Sequence, residues 1–315
     1  MKIKKQRTAW RYLFGIGILF TVTVTSCKKD DNNTVAVSNT ITDKVVADPS
    51  LSLLEKAVVK AGLDATLKQA GPYTVFAPDD AAFAASGISS ATIDALTAAQ
   101  LNTLLLYHTI GAKILAADVP AGPNAKVVTA SGDSVFVTRN SSGVYINGIK
   151  VTTADITADN GVIHKIGRVL NPPVGNIVET AMESGLDSLV KAVTLAGLGS
   201  TLSTATLTVF APTNQAFTDL LGALALTDIN QIPLSTLTAV LTYHVVAGRA
   251  FSSDLANGSL GMFAGGNTTI NLTNGAAGGA TILGNSNGTN KSNITATNIV
   301  CRNGVVHLID RVLLP

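Results

Sequence analysis

The sequence predicts an α+β protein made of two tandem domains, and three observations carry that prediction. First, TVFAPDDAAF at 74–83 returns as TVFAPTNQAF at 208–217. Second, LLLYHTIGAK (104–113) and NGVIHKIGRVLNPP (160–173) return in the same order as AVLTYHVVAGR (239–249) and NGVVHLIDRVLLP (303–315). Third, the hydrophobic period within the first copy is helical early and alternating late, so helices precede a sheet. The separations are 134 for Thr74 to Thr208, 136 for His108 to His244 and 143 for His164 to His307. A repeat of that length is a whole domain rather than a solenoid unit, with a few residues inserted late in the second copy.

With 315 residues, 46% of them hydrophobic and 13% charged, the chain can bury two cores and is neither disordered nor fibrous. Residues 1–26 hold Lys2, Lys4, Lys5, Arg7 and Arg11 and no acid, followed by an apolar run from Tyr12 to Val24. The run is shorter than the roughly 20 apolar residues of a membrane span, so it reads as a secretory signal. Val24-Thr25-Ser26-Cys27 places small residues directly before a cysteine, which resembles a bacterial lipobox and makes Cys27 the expected lipidation site. Lys28-Lys29-Asp30-Asp31 then resembles the export signal of lipoproteins shown on the outer face of a Gram-negative outer membrane. The expected localisation is therefore the cell surface, lipid-anchored in the outer membrane. Residues 27–44 are rich in Asn, Thr and Ser and read as a flexible tether reaching about 20–25 Å. Without residues 1–26, 17 bases face 20 acids, a formal charge of −3, which argues against nucleic acid as a partner.

In the first copy, Leu51, Leu54, Val58 and Ala61 fall at helical spacing before Gly62, a natural stop. Tyr73 to Ala77 is a short run of strand formers ended by Pro78, and Asp79 is placed to cap a helix containing Phe83. Thr213 holds the same place in the second copy. Residues 92–108 predict one or two helices ending near Tyr107-His108. Short strands follow at Lys126–Thr129, Ser134–Thr138 and Val144–Ile146, with Gly132-Asp133 and Asn147-Gly148 as hairpin turns. A strand from Val162 to Leu170 closes an expected antiparallel sheet. Asn171 to Gly175 is a linker too short for free swinging.

In the second copy, residues 187–198 repeat the helix of 52–63, and the added residues at 255–293 are rich in Gly and Asn, as wide hairpin loops are. No Asp or Glu occurs from Leu255 to Ile309, so a calcium site, which needs several hard oxygen ligands, is not expected there. All four histidines lie in the repeated motifs, flanked by apolar residues and without H-E-x-x-H, G-x-S-x-G, P-loop or C-x-x-C companions. They are expected as hydrogen-bonded core residues. Cys301 aligns with Ala158 and is expected as a buried free thiol.

TVFAPxxxAF, then Tyr-His, then NGVxHxIxRVL, twice over, resembles the fasciclin (FAS1) domain, over about 45–171 and 174–315. The resemblance implies in each copy a β-sandwich or wedge of about seven strands flanked by helices. It also implies a non-enzymatic surface protein that adheres to an extracellular protein or polysaccharide, or to itself between cells. No catalytic residue, metal or cofactor is expected, and the membrane is met only through the lipid. The adhesive contacts assigned in animal members carry over as Asp155-Ile156 and as Tyr107-His108 and Tyr243-His244, although the Tyr-His pairs suit core positions equally. The second copy has Asn298-Ile299 in place of Asp-Ile, without the carboxylate. On this reading Asp155→Ala reduces binding without affecting stability, and two linked sites add avidity. The rivals are a small-ligand carrier or sensor with an apolar pocket inside one domain, and an enzyme or redox protein using a histidine or Cys301.

Overall fold

The computed structural model describes residues 39–273 and 279–315; the leader, Cys27 and the tether up to residue 38 lie outside the described residues. The first domain begins earlier than the polar composition of its start suggested. Thr40 caps helix α1 (Ile41–Ala47) through a reciprocal box with Asp43, and Ile41 and Val45 are buried. At the end of the stretch that read as tether, Thr40 and Asp43 form the cap. Helix α2 (Ser52–Ala61) follows and stops at Gly62, whose φ of 70° is the left-handed position that ends helices.

Strand β1 (Tyr73–Pro78) runs into α3 (Asp80–Ala85), where the Asp79 carboxylate accepts from the Ala82 N–H. Two separate helices, α4 (Ser90–Ala95) and α5 (Ala98–Tyr107), fill 90–107, each opened by its own capping box. The sheet is then built from β2 (Thr109–Ile110), β3 (Gly122–Val128), β4 (Ser134–Asn140), β5 (Gly143–Ile146), β6 (Ile149–Ala158) and β7 (Gly161–Ile166). Its order is β2-β1-β7-β6-β5-β4-β3.

Further features differ from the sequence expectation, and the last strand ends at Ile166 rather than Leu170. The sheet is mixed: β1 and β7 pair in parallel, Tyr73 opposite Gly161 through Pro78 opposite Ile166. The long crossover through helices and strands makes that pairing possible, and no local pattern announces it. The ten-residue β6 was not anticipated, because two register shifts, between Val151 and Thr153 and between Thr153 and Ile156, break its alternation.

Successive residues of β1 point to opposite faces and so serve two cores. Val75 joins Leu54, Phe83, Leu101 and Ile163 under the helices. Phe76 joins Val135, Val137, Ile146 and Ile166, where the sheet folds over on itself into a wedge.

The second domain repeats this plan with α6 (Ile177–Glu183), α7 (Asp187–Leu195), α8 (Gly199–Thr204), β8 (Leu207–Pro212), α9 (Asn214–Ala223) and α10 (Leu234–Thr242). Its sheet holds β9 (Val245–Ala247), β10 (Gly258–Gly261), β11 (Asn267–Asn271), β12 (Thr281–Leu283), β13 (Ser292–Cys301) and β14 (Gly304–Ile309), in the order β10-β11-β12-β13-β14-β8-β9. Thr213 caps α9 through the Ala216 N–H, as its position opposite Asp79 predicts. Cys301 is a buried free thiol. Among the described residues no helix is long and apolar enough to cross a membrane.

Candidate binding surface

The Tyr-His pairs sit where α5 and α10 end and the chain turns into the sheet. Tyr107 and His108 are 0% and 2% exposed, Tyr243 and His244 2% and 1%. His108 donates from Nδ1 to Leu104 O (2.8 Å) and accepts at Nε2 from the Leu170 N–H (2.9 Å). His244 repeats this with Val240 O (2.7 Å) and the Leu313 N–H (2.8 Å). A carbonyl on one nitrogen and an N–H on the other fix a neutral ring, and burial pushes both pKa values down to about 4. Tyr107 donates to Ser134 O and accepts from Asn147, and burial pushes its pKa up to about 12. Tyr243 donates to Asn267 O. The tyrosines tie the end of each helix to a far strand, the histidines tie it to the chain that follows the last strand, and all four residues are buried.

The NGVxH histidines use the other tautomer. His164 donates from Nε2 to Ile114 O (2.8 Å) and accepts at Nδ1 from the Asp155 N–H (3.2 Å). His307 does the same with Ala250 O (2.9 Å) and the Asn298 N–H (3.4 Å). Phe76 and Phe210 stack on these rings at 6.0 and 5.4 Å.

Asp155 and Asn298 are thus equivalent, and each sits at a β-bulge with positive φ, 59° and 64°. Asp and Asn are the side-chain-bearing residues that tolerate this region best. Each side chain also takes a backbone N–H of the short 3-10 turn opposite: Asp155 Oδ1 from Ala116 (2.9 Å), Asn298 Oδ1 from Ser252 (2.8 Å). The Asp to Asn change therefore keeps the conformation and the acceptor and removes only the charge. The Asp155 side chain is 42% exposed. Ile156 instead turns toward the helix-side core and lines a shallow groove with Lys44, Asp48 and Pro49, so the dipeptide does not form one patch. Lys165, 2.5 Å from Asp48, holds that carboxyl below its ordinary range.

In the second domain the corresponding surface is covered by the first. Arg249 lies 4.0 Å above the Phe136 ring while its guanidinium donates to the carbonyls of Cys301, Gly304 and Arg302. The Phe251 ring is 6.0 Å from that of Phe136. Asn124 donates to Arg249 O (2.6 Å), Thr138 to Asp254 (3.2 Å) and Asn140 to Ser253 O (3.4 Å). Asn298 packs on Gly148, where a Cβ would fall 2.6 Å from its Nδ2, so only glycine fits that turn. The stiff join expected of the linker is a docked interface.

A Fasciclin domain profile matches residues 49–172 and again 184–315. The chain belongs to the Fasciclin domain family. Its sequence is 36% identical over 144 residues to transforming growth factor-beta-induced protein ig-h3 of Sus scrofa, a match covering 46% of this chain and 21% of that one. It is 35% identical over 139 residues to protein sll1483 of Synechocystis, covering 43% and 74%. Among solved structures it is similar to a FAS1 domain pair from the insect cell adhesion molecule Fasciclin I, with 18% identity, 87% of this chain and 96% of that one covered, and a TM-score of 0.40. The chain spans about a fifth of the length of ig-h3.

Within this pair of fasciclin domains, the sequence located the bulge residue but not its reason for being Asp or Asn. The docking residues Phe136, Arg249 and Phe251 were missed. The signal that could have found them is the departure between copies: Arg249 and Phe251 stand where the first fasciclin domain has Lys113 and Leu115. Among the described residues no group of three or more His, Cys, Asp or Glu is placed to hold a metal.

Proposed function

We propose that this chain is a lipid-anchored surface protein, held by Cys27 in the outer membrane of a Gram-negative cell, that binds an extracellular protein or polysaccharide through its first fasciclin domain without catalysis. The single observation that supports the reading most is the use made of one surface. The segment 249–254 and Asn298 of the second domain form a docking surface engaged by the first domain, whereas the same surface of the first domain, around residues 113–118 and Asp155, is open. A surface that mates with a protein in one copy is suited to mate with a partner in the other. The second copy being covered, the contact is single, and the avidity of two linked sites is not part of this reading.

Asp155→Asn is the decisive variant, because Asn298 demonstrates that asparagine keeps the bulge and its hydrogen bond. Binding of the two-domain chain to immobilised fibronectin, collagen and alginate would be measured beside that variant. Saturable binding weakened at least tenfold by Asp155→Asn supports the reading. Wild-type binding that is indifferent to Asp155→Asn and to Lys113→Glu places the contact elsewhere.

A further inference from the structure

The second domain holds a recessed apolar cavity of about 50 Å³ beneath α6, α7, α8 and α10, floored by β8. A water needs roughly 10–15 Å³, so the space is well above the threshold for a single water-sized group. The wall offers water few hydrogen bonds. Thr242 Oγ1 is bonded to Thr238 O and Ala239 O, and both His244 ring nitrogens are engaged, as described above. Thr201 is the one other hydroxyl-bearing residue of the lining, and the remainder is hydrocarbon from residues such as Ala181, Val190, Leu202 and Leu241. Water confined there would forgo most of its partners, so the space favours an apolar occupant.

The mouth strengthens the case. Phe263 borders the cavity yet is 51% exposed, at the start of the turn between β10 and β11. Its N–H is fixed to Val245 O (2.7 Å), and the positive φ of Gly265 and Gly266 closes the turn behind it. In the first domain the N–H that makes the same bond, to Thr109 O, belongs to Ala130. At the rim Val190 replaces Glu55, and inside Thr242 replaces Leu106. All three differences act together: an aromatic gained at the mouth, a charge removed from the rim, and a shorter side chain within.

We propose that this cavity binds a small apolar group, an aromatic ring or the methyl end of an acyl chain, with Phe263 packing over it. The site is separate from the surface around Asp155 and does not rest on the adhesion reading. The test is NMR titration of the two-domain chain with benzene and, separately, with decanoate below its micelle concentration. Saturable shifts confined to methyls of Val190, Leu202 and Leu241 are expected; shifts with benzene alone assign a ring, and shifts with both assign the acyl end. Ala181→Leu, which fills the space, is expected to weaken binding at least tenfold without lowering Tm. Phe263→Ser, a change at an exposed position, is expected to weaken it at least threefold. The proposal is overturned if neither probe shifts those methyls, if Ala181→Leu lowers Tm because no space exists, or if both variants bind as the wild type does.

Discussion

The same surface has opposite fates in the two fasciclin domains. Around Asp155 it is open; around Asn298 it is pressed against the first domain. Scaffold residues are alike in both copies, including the two histidine tautomers and the two bulges, while the residues that touch across the interface differ. Phe136, which receives Arg249, corresponds to Thr269 of β11, by the register of Lys126 with Phe136 and Ser259 with Thr269. Without an aromatic there, a further copy docked in the same way would find no face for its arginine. Duplication made two equivalent surfaces, and divergence at a handful of side chains made one of them an internal contact that closes the pair rather than extending it.

Removing a buried histidine probes the scaffold that the domains share. His108→Ala and His244→Ala each leave a cavity and orphan a buried N–H, and each should cost about 3–4 kcal/mol by urea unfolding. Losses that differ widely would show that the two Tyr-His bolts are not equivalent. Acid tests the same residues without mutation. The folded pKa values of about 4 lie below the ordinary 6.5, so the unfolded chain takes up the protons. This stability is fully present above pH 6.5 and lost as pH falls towards 4, on the order of 3 kcal/mol per histidine. An unchanged urea midpoint across that window would contradict the neutral buried rings.

The interface gives a smaller and more discriminating contrast. Arg249→Ala removes three bonds to carbonyls and the stacking on Phe136, for an expected loss of about 2–3 kcal/mol. Calorimetry should then resolve two transitions where the wild type gives one. Lys113→Ala, at the equivalent exposed position, should change Tm by less than a degree or two, within about 0.5 kcal/mol. Equal effects at the two positions would erase the distinction between a covered and an open surface.

The bulge yields the finest comparison. Asp155→Ala places alanine at φ 59° and leaves the Ala116 N–H without its acceptor, a cost of about 1–2 kcal/mol. Asp155→Asn should lie within about 0.5 kcal/mol of wild type. Alanine at this position changes architecture as well as charge, and asparagine is the variant that separates the two.

Local signals made much of this readable from the chain. Asp79 and Thr213 as caps, Gly62 as a helix stop and Asn147-Gly148 as a hairpin turn each act within a few residues, and the structure has them where the pattern puts them. The duplicated motifs likewise set the domain count and order. Features that depend on distant partners were not readable. The parallel pairing of β1 with β7 joins segments almost ninety residues apart, and the bulges in β6 erased the alternation that marks a strand. Tyr107-His108 read as core from its apolar flanks and as contact from the family resemblance, and only the packed structure shows it buried. Tertiary structure alone decided which of two equivalent surfaces stays open and where an apolar cavity remains, because docking and cavity volume are properties of surfaces brought together from different parts of the chain. The sequence by itself determined the two domains and the residues that start and stop their elements, because capping and turn chemistry are settled between near neighbours.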